Sequence, residues 1–459
     1  MIYPGLIEET AMNGKTGGNR GPRHALGVAA AAAMLTACSA VHVSSSGGSA
    51  SASATASPPG AAATDCLALP STCYTPQQLR AAYGIQPLLD RGITGRGQTV
   101  VLLEFPPAAA GSATDIRQDL ARFDGMFGLP AAQLQVVNTL AHEASPWLAA
   151  GEEVEDTEIV HAVAPDAAIR EVLIPSLDTA GTGAVSAAFL AALRLGLTQG
   201  GVISLSDDAG EQCFSRAAVA QGSVILQAAQ RDRVTVVFSS GDSGAAADAC
   251  PGAGTGSAVV KGVNWPASDP LALAVGGTSL QASRATGAYL SETAWNIPAA
   301  AGGSAPKASG GGFSRLFPRP AYQDGTAGIG ATRGVPDVAA DADPGTGMAL
   351  AFSGGGEGNI LIGAGGTSAG APLWAAVIAL ADQYAGRRLG FVNPALYQIG
   401  HSASYHQAFH DVTTGTNTVQ FPAKTITGYQ AAPGWDPVTG WGSPNTQVLV
   451  PLLARYVGQ

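Results

Sequence analysis

The segment Gly365-Gly366-Thr367-Ser368-Ala369-Gly370-Ala371-Pro372 sets a serine hydroxyl at the start of an apolar stretch that runs through about Tyr384. A serine in the first turn of a buried helix sits at the positive end of the helix dipole, beside free N–H groups that can bind a developing oxyanion. Glycines just before it let the backbone approach a substrate closely. Serine also caps helices, but G-T-S-x-x-x-P is an uncommon pattern and favours Ser368 as a nucleophile over a cap.

A serine hydroxyl needs a neighbour to take its proton. Histidine is poorly placed for this: no H-G-T-H segment occurs, and no His lies between His161 and His401. Carboxylates are the alternative, and they crowd into Gly151-Glu152-Glu153-Val154-Glu155-Asp156-Thr157-Glu158-Ile159-Val160-His161. At about 100° per residue, Glu152 and Asp156 fall on one face of a helix, about 40° apart, and His161 falls on the opposite face. Acidic residues also suit a helix N-terminus, so spacing alone does not choose this pair from the acids present.

The elements that must hold these groups alternate along the chain. Strands are expected over Thr99–Phe105, Ala168–Ile174, Gly201–Leu205 and Val234–Ser239, with helices near Ala113–Phe127, Gly183–Gln199 and Phe214–Arg231. That alternation predicts an α/β fold with a mostly parallel sheet covered by helices on both faces, and chemistry in the crevice beyond the carboxyl ends of the strands. Neither an internal repeat nor a second linker interrupts residues 66–459, which read as one domain.

Further motifs make the chain resemble the sedolisin family of serine-carboxyl peptidases, most closely its kumamolisin-like members. They are Tyr74-Thr75-Pro76-Gln77-Gln78-Leu79-Arg80, Trp265-Pro266-Ala267-Ser268, Val275-Gly276-Gly277-Thr278, Gly311-Gly312-Phe313-Ser314-Arg315 and Gly334-Val335-Pro336-Asp337-Val338-Ala339. The resemblance implies a subtilisin-like three-layer fold and an acid-active endopeptidase. Glu152 would be the general base, Asp156 the carboxylate that shares a proton with it and orients it, Ser368 the nucleophile, and Asp242 the oxyanion-hole acid. Glu104, at the end of its strand, matches a supporting carboxylate behind the pair. Glu152 must be ionised and Asp242 protonated, and with ordinary carboxyl values near 4 activity is expected at roughly pH 3 to 5. One departure is Ser204-Leu205-Ser206-Asp207-Asp208, where kumamolisin-like members carry Trp-Gly after the last Ser. A second is that only a short tether precedes Cys66, where the family usually has a long activation domain.

The same resemblance extends to a calcium site. Asp411 and Asp436 with the carbonyls of Val412, Ala432 and Gly434 would give one structural Ca²⁺ the all-oxygen shell it prefers. Read without the family, the two aspartates serve equally well as turn caps.

Composition bounds the partners. Charged residues make up 12% of the chain, with a net charge of -10 and 61 Gly. There is no basic stripe to neutralise phosphates, so nucleic acid is excluded as a natural partner and polypeptide substrates are expected. Lys15, Arg20 and Arg23 precede the apolar run Ala25–Leu35 and then Cys38, a secretory signal over residues 1–38 whose end resembles a lipobox. Lipidation of Cys38 and a flexible Ser/Gly/Ala tether over 39–65 would place a monomeric enzyme outside the cell or on the outer face of a bacterial membrane. The remaining cysteines are expected to pair Cys66 with Cys73 and Cys213 with Cys250. The competing reading is a catalytically weak or inactive cell-surface binding lipoprotein on a peptidase scaffold.

Overall fold

The computed structural model describes residues 73–105, 113–138, 147–149, 151–174, 187–248, 250, 259–299, 305–353 and 360–457. The readings that rest on Cys38, Cys66, the signal and the tether lie outside these residues.

The runs rich in Val, Ile and Leu form the central strands, and the 3.6-period segments between them form the helices. In chain order these are β1 (Thr99–Glu104), α1 (Ile116–Phe127), β2 (Gln133–Asn138), α2 (Gly151–Val163), β3 (Ala168–Leu173), α3 (Ala187–Gln199), β4 (Val202–Leu205), α4 (Arg216–Arg231), β5 (Thr235–Ser239), β6 (Leu273–Ala282), β7 (Tyr289–Ala294), β8 (Val338–Asp341), α5 (Thr367–Ala385) and α6 (Thr446–Tyr456). The sheet runs β7-β6-β5-β4-β1-β3-β2, with β8 also on β6; the pairing of β7 with β6 is antiparallel and the other pairs are parallel. The mostly parallel α/β sheet expected from the sequence is therefore present, with helix starts shifted by a few residues.

Strands β1, β4 and β5 are buried along nearly their whole length, as fits a sheet covered on both faces. One apolar cluster on one side includes Val100, Leu102, Val160, Val237 and the length of α5; a second on the other includes Val101, Leu103, Ile203, Val236 and Trp265. The alternation within β1 assigns Val100 and Leu102 to one layer and Val101 and Leu103 to the other. Helix α5 is apolar on all sides and buried from Thr367 to Asp382, which places it inside the molecule rather than on its surface. It packs against α2, α6, β4 and β5. Cys213 and Cys250 form a disulfide, tying the start of α4 to the loop after β5.

Candidate active site

Helix α5 begins at Thr367, and its N-cap is Gly366 at φ 83°, a conformation that favours glycine. A Cβ on Gly366 would lie 2.9 Å from Asp242 Oδ2, so this glycine also makes room for that carboxylate. Ser368 therefore stands one residue inside the helix and makes no cap; its hydroxyl donates to the Ser206 carbonyl at 3.2 Å and hydrogen-bonds Glu152. Pro372 removes the N–H that would have met the Ser368 carbonyl. The Ser206 hydroxyl lies 3.3 Å from that carbonyl and donates to Asp156 Oδ2 at 2.7 Å.

Helix α2 supplies the acids. Its residues from Glu153 to Val163 are buried, so amphipathic periodicity is absent and the carboxyls face protein on every side. Two of them find donors across the fold, Glu158 accepting from Ala351 N at 2.8 Å and Glu155 from Gly365 N at 3.2 Å, and on β3 Glu171 accepts from Thr157 Oγ1 at 2.5 Å. Burial pushes Glu152 up to about 8, against the lowering effect of its Ser368 bond. Asp156 is raised well above the carboxylate range by burial and by the charge of Glu152, and Glu104 by burial and by Asp156. Asp156 and Glu104 meet carboxyl to carboxyl, a contact that requires a shared proton. The hydrogen bonds of Asp156 run to Ser206 and Glu104, and the charge of Glu152 acts on it as well. Protons leave such a cluster in shared steps rather than residue by residue.

His161 is fully buried on the far face of α2, bonding the Pro130 carbonyl at 2.8 Å and lying 2.9 Å from Asp124. It belongs to the α1–α2 packing, away from Ser368, as the helical spacing required.

Asp242 lies just beyond the end of β5. Its Oδ1 accepts from Thr367 N at 2.8 Å and Thr367 Oγ1 at 3.0 Å, and its Oδ2 faces Lys307 Nζ at 3.6 Å. Thr367 Oγ1 also accepts from Gly241 N at 3.1 Å. The nucleophile helix and the Asp242 loop are thereby fixed to each other. Lys307, Ser206 and Glu155 were not singled out in the sequence; Ser206 carried the one available signal, as the last common residue before the departure at Asp207-Asp208.

Those two acids diverge. Asp207 is exposed, whereas Asp208 turns inward and accepts from Asn264 Nδ2 at 2.9 Å.

At the C-terminal pair, Asp411 presents both oxygens to Gly434 N at 3.1 and 3.2 Å. Asp436 accepts from Val438 N and Thr439 N on one oxygen and from Ala432 N and the Thr439 hydroxyl on the other, closing the 436–440 turn. Those four donors are neutral, and burial still pushes Asp436 up to about 6. Among the described residues no group of three or more His, Cys, Asp or Glu gathers for a metal. A cation here would rest on two carboxylates and backbone carbonyls. An all-oxygen donor set around an incompletely offset buried carboxylate fits a hard ion such as Ca²⁺.

No protein-family model matches the chain. It is 34% identical over 384 residues to kumamolisin of Bacillus sp. (strain MN-32), covering 81% of this chain and 62% of that protein. To sedolisin of Pseudomonas sp. (strain 101) it is 30% identical over 338 residues, covering 72% of this chain and 54% of the relative. Tripeptidyl-peptidase 1 of Homo sapiens is 31% identical over 271 residues, with 55% and 42% covered. The chain thus spans only about four to six tenths of these relatives' lengths. Among solved structures, the Pseudomonas sedolisin complex with two molecules of pseudo-iodotyrostatin superposes with a TM-score of 0.68 at 27% identity, covering 84% of this chain and 99% of that one.

Proposed function

The chain belongs to the sedolisin family of serine-carboxyl peptidases, and on that footing we propose that it is an acid-active endopeptidase working through Ser368, Glu152, Asp156 and Asp242. The observation that carries this reading is the Ser368 hydroxyl, hydrogen-bonded to Glu152 at the mouth of a buried carboxyl cluster, with Asp242 fixed beside the same helix start. Ionised Glu152 takes the Ser368 proton as the hydroxyl attacks the peptide carbonyl. Asp242 Oδ2, once protonated and turned from Lys307, donates to the oxyanion. Asp156 and Glu104 keep the remaining proton within the cluster, so the charge stays available to Glu152.

The Ca²⁺ at Asp411, Val412, Ala432, Gly434 and Asp436 is proposed as a structural ion; bound there, it would supply positive charge to the two carboxylates and fix the 432–436 turn. Export through the signal-like N-terminus, lipidation at Cys38, a monomeric state and polypeptide substrates complete the proposal. Among the described residues no helix is long and apolar enough to cross a membrane.

The test is hydrolysis of a denatured protein from pH 2 to 9 with Ser368→Ala as control, products being identified by mass spectrometry. Internal cleavage in acid that vanishes in the variant is the expected result. Release of tripeptides alone would replace the endopeptidase reading with an exopeptidase one, and peptide binding without hydrolysis would favour the inactive scaffold.

A further inference from the structure

A second carboxyl pair lies under the Asp242 loop and takes no part in the mechanism above. Asn264, buried at 2% exposure, points its Nδ2 at oxygens of both members, Asp208 Oδ1 at 2.9 Å and Asp248 Oδ2 more closely. Asp248 is held from three further directions: Ser243 donates to its Oδ1, its own N–H donates to Asn264 Oδ1 at 2.9 Å, and Gln212 Nε2 reaches its carbonyl at 3.2 Å. Asp208 follows the Ser206 that touches both Ser368 and Asp156, while Ser243 adjoins Asp242. The space is tight: a Cβ on Gly241, at φ 102°, would fall 2.0 Å from Asn264 Nδ2 and 2.6 Å from Asp248 Oδ2.

One amide hydrogen-bonding two carboxyls cannot neutralise both. Asp207 and Asp242 add negative charge around the pair, and Lys307 is the cation that acts on Asp248. Asp208 Oδ2 is buried without an ordinary donor, and the two carboxyls hydrogen-bond each other, so a proton must lie between them.

We propose that Asp208 and Asp248 share one proton and so latch the loop bearing Asp242 to the segment bearing Ser206, making both aspartates positioning residues for the oxyanion hole. The role rests on the function proposed above, but the latch itself does not. Burial raises Asp208 well above the carboxylate range and raises Asp248 as well. Raised folded-state values mean that the stabilisation is complete below about pH 4 and is lost as pH rises and the shared proton leaves.

The experiment uses the full chain with Asp208→Asn, Asp208→Ala and Asp248→Asn, melted from pH 3 to 8 and assayed for peptide hydrolysis. An amide at 208 donates to Asp248 at every pH. Its melting temperature should therefore gain on the wild type steadily as pH rises, and Asp248→Asn should do the same from the other side. In activity, Asp208→Ala should lose about tenfold or more in kcat with little change in KM, and Asp208→Asn should recover most of it. Melting curves that differ from the wild type by a constant amount at all pH values would overturn the latch. If neither wild type nor variants hydrolyse peptides, the functional reading fails while the melts still decide the pair. If the enzyme is active and Asp208→Ala is as good as wild type, the positioning role falls.

Discussion

The Ser206 hydroxyl donates to Asp156 at 2.7 Å while the carbonyl of the same residue receives the Ser368 hydroxyl at 3.2 Å. One residue at the end of β4 therefore touches both halves of the proposed catalytic unit, through two different groups. The carbonyl contact survives any side-chain change; the hydroxyl contact does not.

Ser206→Ala should accordingly separate the two. The hydroxyl bond favours the ionised form of Asp156, so its loss makes the cluster hold protons more tightly and moves the acid limb of kcat/KM to higher pH. A decrease of about tenfold in kcat with KM nearly unchanged is expected, since positioning of the nucleophile is retained. An unaltered pH profile would show that the bond has no part in setting the charge of the cluster.

Ser368→Ala and Glu152→Ala should each nearly abolish hydrolysis, and the double variant should be little worse than either, because members of one catalytic unit fail together. His161→Ala should behave oppositely, keeping the chemistry and losing stability, on the order of 1 to 3 kcal/mol for a buried hydrogen-bonded side chain. Activity lost in His161→Ala at temperatures where the fold persists, but kept in Glu152→Ala, would return the base to histidine.

The motif around Ser368 and the i, i+4 acids were legible because each is local: four residues of one helix separate Glu152 from Asp156, and the nucleophile announces itself by its glycines and Pro372. The order of the sheet was legible as a class but not as a path. Ser206 stands 50 residues from Asp156 and 162 from Ser368, and Gly365 stands 210 from Glu155. Spacing carries no information on such pairs. They meet because β4 lies next to β1 and α5 runs beneath both, and each partner alone is an ordinary polar residue. The burial of α2 was hidden for a related reason: an acidic helix reads as a solvated one until it is known what covers it.

Buried carboxyls set how stability follows pH. Burial pushes Glu171 up to about 7, against the Thr157 bond that lowers it. An unfolded glutamate titrates near 4.3, so over this interval the native state binds more protons and stability falls as pH rises. The protein should melt at a higher temperature at pH 5 than at pH 8. Glu171→Gln should flatten that difference and stabilise by on the order of 1 kcal/mol at pH 8, with little change at pH 4. Calorimetry at the two pH values checks the sign.

Calcium is expected to act on stability and not on the chemical step. An ion that binds only the folded chain stabilises it by mass action, about 2.7 kcal/mol at a hundredfold excess over its Kd. Chelation should lower the melting temperature at neutral pH, Asp411→Ala should do so without chelator, and kcat at low temperature should stay unchanged. A melt indifferent to both, with no metal in the purified protein, would leave Asp411 and Asp436 as turn caps.

Two limbs bound the working pH. Burial of Glu152 and its partners raises the acid limb above the ordinary carboxyl range, so the optimum should shift upward from the roughly pH 3 to 5 that ordinary carboxyl values give. The proposed oxyanion acid is Asp242, whose Oδ2 faces Lys307 Nζ at 3.6 Å. Lys307→Met tests which of the two meets the oxyanion: with Asp242 in that role, kcat should fall by less than about tenfold. Asp242→Asn should move the alkaline limb upward at a lower maximal rate, because an amide donates at every pH. A loss in Lys307→Met as large as in Asp242→Ala would mean that the lysine, and not protonated Asp242, meets the oxyanion.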